Sequence, residues 1–268
     1  MYMSFTRNAI RFRGRDKCST TALLSKPSTS GEGRHESAAH QPPTSKSPPM
    51  SQPNPRADLQ VADIADVLAW GWDGRRLSEN LTTLDFGTTD ALTLVHEGNP
   101  NQWGPVFMKH PDTWRLLVAR PEAIIGYWHI VPLLPAEYNL VKAGKLFDSQ
   151  ITVDAIPDHK RPGVYDVYFV QVCMLAAYRT LGNIQLLFQT IFDVLATHAD
   201  DGIYVREVTA NAYTRFGEAL CCRFNLVPQC SHCEHGTIYS GSIANVLQHG
   251  AAIRHPRLLD RYKHQKLI

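Results

Sequence analysis

The strongest hydrophobic pattern in the chain lies between residues 164 and 198. The segment VYDVYFVQVCML is a nearly continuous run of apolar and β-branched residues, which is typical of a central strand covered on both faces. Apolar residues then fall on one helical face from Ile184 to Leu195, and their period of about 3.6 predicts an amphipathic helix. A buried strand followed by a helix that packs on the sheet is therefore the centre of the predicted fold.

Weaker patterns precede this unit. Apolar residues at helical spacing from Leu59 to Leu68, followed by Gly71, predict a first helix. The segments LTTLDFG, ALTLVHEG and TWRLLVA alternate or cluster apolar residues between breaks, which predicts strands. The longer segment TWRLLVARPEAIIGYWHIVPL predicts a hairpin, because the proline of the Arg120-Pro121-Glu122 turn presets the turn dihedral.

Further elements are predicted on both sides of the central strand. Pro135 and Gly144 bound a short helix, PAEYNLVKAG, and residues 145–163 form a long connection. After the central helix, GIYVREVTAN predicts a strand, AYTRFGEALCCRF a helix, and LVPQC and TIYSGSI two late strands. This order predicts an α/β domain of the layered α+β kind.

Composition divides the chain into three parts. Residues 1–57 are dominated by Ser, Thr, Pro, Gly and Gln, and we expect them to be disordered because they bury too little apolar surface to offset the entropy of ordering. Residues 58–250 form the predicted folded domain. Residues 251–268 are basic and predict a solvated tail or helix, with an anionic partner or a subunit contact as the alternative.

The N-terminal extension begins with FTRNAIRFRGRDKCSTTALLSK, in which basic residues far outnumber the single acid. This composition resembles an organelle transit peptide. A solvated basic tail, or a start codon assigned too early with Met50 as the true initiator, explains it equally well. Import into an organelle is therefore kept as an alternative.

The bulk properties narrow the class of protein. The chain has 268 residues, of which 44% are hydrophobic, and this suits one globular domain with some length to spare. A net charge of +2 is too mild to indicate a nucleic-acid partner, and no apolar run approaches the length of a membrane span. We therefore expect a soluble, cytoplasmic protein, because its six cysteines follow no secretory segment.

The segment Cys230-Ser231-His232-Cys233-Glu234-His235 raises the question of a zinc site, because thiolates and imidazoles are preferred zinc ligands. Four ligands within six residues strain a tetrahedral site, and no second cluster lies at zinc-ribbon spacing. A loop before the last strand is the expectation, with no metal.

The turn from Arg179 to Ile184 joins the buried strand to the amphipathic helix. Backbone N–H groups at a helix start are unpaired and the helix dipole is positive there, so the turn is suited to an anion such as phosphate. Gly182 permits a close approach. Any strand-to-helix turn shares part of this pattern, so the turn alone is weak support.

The turn and the strand before it resemble the acetyl-CoA motif of the GNAT superfamily of N-acetyltransferases. That motif reads Arg or Gln, two residues, Gly, one residue, then Gly or Ala, and Arg179 and Gly182 match it after Tyr178. Ile184 departs from it at the final position, and Ala176 stands where Pro is frequent.

The resemblance extends over roughly residues 59–248. The segments IIGYWHIVPL, YFVQVCMLAAYR and GEALCCRFNLV, with Gly144-Lys145-Leu146, look like a sparsely characterised bacterial-type branch of the superfamily. The resemblance implies a mixed, mostly antiparallel sheet with a splayed central strand pair, flanked by helices.

The resemblance also implies acetyl-CoA as co-substrate, with no metal. The backbone of the central strand would pair with the pantetheine arm at Val172, Cys173 and Met174, and Asn211 would meet the cofactor where the neighbouring strand diverges. The diphosphate would be held by the N–H groups of the turn, namely those of Arg179, Thr180, Leu181, Gly182, Asn183 and Ile184.

The family reaction is a direct transfer in which an amine attacks the thioester and an acid protonates the departing thiolate. The usual acid is a Tyr whose position falls on Cys221, and a buried structural cysteine is the alternative. Tyr213 is the alternative acid. Glu207 or Asp166 is the candidate base, although a solvent-facing strand position explains Glu207 equally well.

The acceptor pocket is expected near the predicted hairpin. Tyr127, His129 and Glu137 are the candidate substrate residues, with simple core packing as the alternative.

Two hypotheses about function follow. The first is an N-acyltransferase that acts on an unidentified amine of a small molecule or peptide, with a homodimer kept as an alternative. The second is a catalytically weak or inactive acyl-CoA-binding regulatory module of the same fold, since fold alone does not guarantee chemistry. An interaction protein with basic tails is a third possibility.

Overall fold

One sheet organises the part of the chain that the computed structural model describes, which comprises residues 58–88, 98–119, 123–250 and 252–268. Its seven strands have the order β1-β2-β3-β4-β5-β7-β6. Among them β4 and β5 are parallel, and every other neighbouring pair is antiparallel. The strands are β1 Leu59–Ala62, β2 Trp114–Ala119, β3 Ala123–Pro132, β4 Gly163–Met174, β5 Ile203–Ala212, β6 Val227–Ser231 and β7 Thr237–Ser242. The mixed, mostly antiparallel sheet that we predicted is confirmed.

Helices cover both faces of this sheet. The described helices are α1 Ile64–Ala69, α2 Gly74–Thr88, α3 Pro100–Lys109, α4 Pro135–Lys142, α5 Leu181–Asp200, α6 Arg215–Arg223, α7 Ile243–Val246 and α8 Pro256–His264. None of them is both long enough and apolar enough to cross a lipid bilayer.

The helices fall into two groups, and each group packs on one face of the sheet in its own apolar core. On one side, called here the α5 face, α5 to α8 pack on strand residues such as Val167 and Met174. On the other, called the α2 face, α1 to α4 pack on Tyr168, Val170 and Cys173. Both faces of the central strand are therefore buried, which explains its nearly continuous apolar sequence.

The central parallel pair is splayed. β4 and β5 are paired from Gly163↔Ile203 to Phe169↔Ala210 and no further. Beyond that point β4 stays with β3 as far as Met174, whereas β5 stays with β7 as far as Ala212. A wedge therefore opens between two strands that are each held by an outer neighbour.

The C-terminal segment folds onto the α5 face. Leu258 and Tyr262 of α8 are fully buried, and the Tyr262 hydroxyl accepts a 3.0 Å hydrogen bond from the backbone N–H of Val205 on β5. Arg261 pairs with Asp200 at the end of α5. Helix α8 is packed on this face through its apolar side and is not a fully solvated helix.

Two predicted elements differ from the structure. Leu59–Ala62 is a strand paired with β2, and the first helix begins only at Ile64. LTTLDFG lies inside helix α2, because the buried stripe of Leu77, Leu81 and Leu84 has helical spacing once the residues before it are included. The strand prediction was wrong because these seven residues alternate locally as a strand does.

Other predictions agree with the structure. β2 and β3 form the expected hairpin strands, although the Arg120-Pro121-Glu122 turn lies outside the described residues. The PAEYNLVKAG helix is α4, and Gly144 after it has a φ of +68° with no room for a Cβ beside Ser231 O. The ALTLVHEG strand lies outside the described residues except for its last glycine.

Candidate active site

The wedge between β4 and β5 exposes backbone edges inside the fold. Among the described residues, the pairing of β4 with β5 ends at Phe169, and β4 continues beyond that point through Val172, Cys173 and Met174. An unpaired strand edge can hydrogen-bond an extended ligand as though the ligand were another strand. The three predicted pantetheine residues therefore lie on an edge that can accept such a ligand.

The predicted anion-binding turn lies directly beyond this edge. Thr180 is the N-cap of α5, and its side chain accepts from Asn183 N while its carbonyl accepts from Ile184 N. The N–H groups of Arg179 and Thr180 are also taken, by the carbonyls of Ala176 and Tyr178. Among the described residues, this leaves the N–H groups of Leu181 and Gly182 without an acceptor. The free donors are two rather than the six that the sequence suggested.

The geometry of the turn is fixed by two side chains. Arg179 Nε donates a 2.7 Å hydrogen bond to the carbonyl of Met174 at the end of β4. Asn183 Nδ2 donates a 2.8 Å hydrogen bond to the carbonyl of Tyr178. Ile184 is partly buried against the α5-face core, so its side chain packs beneath the turn.

The splayed central pair is the feature that the resemblance to acetyltransferases implied. The strand order and the turn ahead of α5 accompany it. The chain has the GNAT fold.

Several solved structures of other proteins are similar to this chain. No protein-family model matches the sequence, and no curated protein matches it. A solved NatC complex bound to Gag peptide and CoA is similar at 10% identity, with 68% of this chain and 96% of that chain covered and a TM-score of 0.41. Naa20 of Chaetomium thermophilum with a bisubstrate analogue gives 11% identity, 72% and 90% coverage, and a TM-score of 0.39.

A third solved structure is the diaminobutyrate acetyltransferase EctA from Paenibacillus lautus in complex with its substrate and coenzyme A. It has 11% identity, 69% and 94% coverage of the two chains, and a TM-score of 0.37. These are likenesses only, and the fold assignment rests on the strand order and the splayed pair described above.

Asn211 lies at the mouth of the wedge on β5, one residue past the last pair with β4. Its side chain is buried, its Nδ2 donates to the carbonyl of His235, and its Oδ1 has no partner among the described residues. A Cβ on Gly236 would overlap Asn211 Oδ1 and lie 2.9 Å from Ala212 O. Asn211 therefore offers one free buried acceptor to a ligand, and only glycine fits beside it.

The two predicted acids lie in different surroundings. Cys221 is buried in the α5-face core, where burial, with its neighbour Cys222, raises the pKa of its thiol to about 12. Tyr213 is half-buried in the loop before α6, ahead of the N-cap Thr214, and its ring stacks on His235. The sequence had placed Tyr213 on the helix, so this position is a correction.

The predicted base Glu207 is engaged elsewhere. Its carboxylate pairs with Lys142 Nζ of α4 at 2.7 and 2.9 Å. Its partner in the sheet is Asp166, which itself pairs with Arg206. Both carboxylates belong to the closed part of the β4 and β5 pair, whereas the wedge begins beyond Phe169.

A different carboxylate lies beside the wedge on the α2 face. Asp85 of α2 accepts hydrogen bonds from Tyr127 Oη at 2.6 Å and from Gln171 Nε2 at 3.2 Å. Burial raises the pKa of Asp85 to about 6, although bonds from Tyr127, Cys173 and Gln171 favour the carboxylate. Asp85 is not among the residues predicted from the sequence, because its segment, LTTLDFG, alternates as a strand does.

The pocket around Asp85 also contains the predicted His129. The cavity has about 390 Å³, including its open mouth, and is walled by rings such as Trp103, Phe107 and Trp114. His129 stacks on Trp114 with ring centroids 3.3 Å apart, and neither ring nitrogen has a partner among the described residues. Burial holds the pKa of His129 well below its usual range, so the imidazole is neutral.

The pocket adjoins the wedge through the sheet register. Tyr127 is opposite Cys173, and His129 is opposite Gln171, so their strand positions flank the open part of β4. Glu137 lies apart, on α4 after the far end of β3, and does not line this cavity. The structure brings together two of the three predicted substrate residues and adds Asp85 and Gln171 to them.

The Cys230 to His235 segment forms part of β6 and the turn after it. Cys230 Sγ donates to the carbonyl of Lys142, and His232 Nε2 bonds to the carbonyl of Leu146. In the described ranges no group of three or more His, Cys, Asp or Glu side chains is arranged to hold a metal ion. Cys230 and His232 tie the end of β6 to the segment after α4.

The raised pKa of Asp85 predicts a pH-dependent cost of folding. Because its pKa rises from 3.8 to about 6, the folded state binds a proton that the unfolded state releases between these values. Relative to the Asp85→Asn variant, the wild-type protein should lose about 2 kcal/mol of unfolding free energy between pH 4 and pH 7. Urea unfolding at a series of pH values measures the difference, and a constant gap would show that Asp85 has an ordinary pKa.

Proposed function

We propose that this chain is an acetyl-CoA-dependent N-acyltransferase, in which an amine bound beside Asp85 attacks the thioester directly. The wedge between β4 and β5 carries this proposal, since it combines a free strand edge with an anion-binding helix start. In the similar solved structures named above, CoA is bound to the NatC complex and to EctA. The acceptor amine belongs to a small molecule or a peptide.

The cofactor follows from the polar groups of the wedge. The pantetheine amides pair with the free edge of β4 from Val172 to Met174, and Asn211 Oδ1 accepts from one of their N–H groups. The pyrophosphate lies at the N–H groups of Leu181 and Gly182, where the dipole of α5 is positive. In this arrangement the N–H groups of Leu181 and Gly182 and the Oδ1 of Asn211, which have no hydrogen-bond partner among the described residues, each gain one.

Asp85 is the base in this proposal. With a pKa of about 6 it is a carboxylate at neutral pH and is hydrogen-bonded so that it faces the pocket. The amine nitrogen forms a bond to the thioester carbon while its proton passes to Asp85. A backbone N–H of the β4 edge stabilises the oxyanion, and the C–S bond then breaks to release CoA thiolate.

Tyr213 is the acid that protonates this thiolate. Cys221 is less suited to that role, because a thiol with a pKa of about 12 gives up its proton less readily than CoA thiol itself does. Tyr213 lies two residues after Asn211, at the end of β5 that borders the wedge.

A catalytically weak or inactive acyl-CoA-binding module is the second candidate function. The replacement of the usual tyrosine by the buried Cys221 favours it. Calorimetry with acetyl-CoA and thiol release across an amine panel separate the two. Binding without thiol release on any amine leaves only the module, and absence of acetyl-CoA binding rejects both.

The Leu181→Pro variant tests the cofactor site. Proline is compatible with the first position of a helix, and Thr180 already has the extended backbone that suits the residue before proline. The variant removes one free N–H, and we expect acetyl-CoA to bind at least about 10-fold more weakly by calorimetry.

The matched control is Leu181→Ala, which keeps the N–H and removes a side chain that is 48% exposed. It should bind acetyl-CoA as the wild-type chain does. Equal affinity of the proline variant and the control would place the pyrophosphate elsewhere.

Replacement of Asp85 by Asn tests the base. We expect kcat to fall about 100-fold or more with unchanged acetyl-CoA affinity, and wild-type kcat/KM to rise with pH through about 6 as Asp85 loses its proton. Glu207→Gln is the control carboxylate and should change kcat less than about twofold, since Glu207 is paired with Lys142. The opposite ranking of the two variants would assign the base to Glu207.

The acid is tested by a second pair of variants. Tyr213→Phe should lower kcat about 10-fold to 100-fold at constant acetyl-CoA affinity, whereas Cys221→Ala should act mainly on stability, because Cys221 packs in the core. Steady-state thiol release and thermal unfolding of both variants measure this. A normal rate in Tyr213→Phe together with a large loss in Cys221→Ala would return the role to the cysteine.

A further inference from the structure

A second cavity lies on the α5 face, away from the wedge. Its volume is about 520 Å³, which includes open solvent at its mouth. Ile203, Tyr204 and Val205 line it, and these residues belong to the paired end of β5. On α5 its last lining residue is His198, sixteen positions and therefore about 24 Å along the helix from Gly182.

The walls of this cavity are mostly apolar and well fixed. Strand residues Trp128, Ile130 and Val167 form one side, and Ile191, Val194 and Leu195 of α5 form the other. The Trp128 indole is fixed in place because its Nε1 donates a 2.8 Å hydrogen bond to Thr190 Oγ1. A ligand body without charge fits these walls.

One end of the cavity is polar. Asp112 Oδ2 accepts a 2.8 Å hydrogen bond from His159 Nε2, and His198 Nε2 lies 3.9 Å from the same oxygen. Asp112 Oδ1 has no hydrogen-bond partner among the described residues. Burial acts to raise the pKa of Asp112, but the hydrogen bond and charge of His159 outweigh it and lower the pKa to about 2. The polar end therefore offers a carboxylate with an unused acceptor atom.

The charges around Asp112 select the kind of ligand group. His159 and Lys160 already interact favourably with the carboxylate, and the guanidinium of Arg115 bonds to the carbonyl of Asp112. An added cation would meet the positive side chains of Lys160 and Arg115, and an anion would meet the carboxylate itself. An uncharged O–H or N–H group satisfies the free oxygen without either repulsion.

We propose that this cavity is a second ligand site for a small uncharged aromatic molecule that places a hydroxyl or N–H donor on Asp112. The site is separate from the cofactor wedge and does not depend on the proposed acyl transfer. Two fused rings fill the space between Trp128 and α5, and the donor lies at the Asp112 end.

The probe pair 2-naphthol and 2-methylnaphthalene tests this site with the full chain. The two molecules have the same ring system, and only the first carries a donor. We expect 2-naphthol to bind at least about 10-fold more tightly in ligand-observed NMR titrations, because its analogue leaves Asp112 unsatisfied. Equal binding of both would remove the role of Asp112, and no binding of 2-naphthol at its solubility limit would overturn the site.

Variants on α5 locate the binding. Val194→Phe fills the cavity and should weaken 2-naphthol binding at least 10-fold, whereas Thr197→Phe adds the same ring at an exposed position of the same helix and should change it less than twofold. Thermal unfolding checks that both variants are folded. If Val194→Phe is unfolded, His198→Phe takes its place, since His198 is half-buried at the cavity wall. Unchanged binding in the cavity-filling variant, or displacement of 2-naphthol by acetyl-CoA, would contradict a separate site.

Discussion

The whole arrangement depends on the fact that β4 and β5 are hydrogen-bonded to each other for only part of their length. Each keeps its outer neighbour to the end, β3 for β4 and β7 for β5, so the sheet remains intact while its middle opens. Backbone groups that face the opening are left without strand partners, which in an ordinary sheet carries a free-energy cost. A ligand that supplies the missing hydrogen bonds would remove that cost, which is why the wedge suits an extended ligand.

The pocket on the α2 face also contains a group whose burial is costly, the carboxylate of Asp85. Asp85 is almost fully buried on α2, and its charge is stabilised by three neutral donors instead of a cation. A buried carboxylate without a paired positive group is costly, so its pKa rises. The same neutral surroundings that weaken the charged form also leave the carboxylate able to attract an incoming amine and to receive its proton.

Much of the fold was predictable, because the apolar periods of β4 and α5 are strong and both elements are buried on the expected sides. The wrong predictions lie in short segments whose local pattern differs from the pattern of the longer sequence or from the pairing around them. LTTLDFG alternates locally, yet it continues a helical stripe that begins at Leu77, and Leu59–Ala62 becomes a strand only because the edge of β2 is available.

The sequence supports candidate site residues only where backbone geometry defines them. The turn at Thr180 follows from the junction of strand and helix, whereas Asp85 is 86 positions from Gln171, and no local pattern links the two. No local sequence pattern predicts the ion pair between Lys142 and Glu207 either. Contacts between distant elements decide which carboxylate is paired with a cation, and these contacts depend on the three-dimensional arrangement.

Helix α5 links two distant parts of the molecule, because its first turn borders the wedge and its last turns line the second cavity. The helix is a single unbroken rod of 20 residues, about 30 Å long. A tilt of about 3° pivoting at one end displaces the other end by more than 1 Å, which is as large as the tolerance of a hydrogen bond. Because the helix is rigid, its two ends cannot tilt independently while it stays intact.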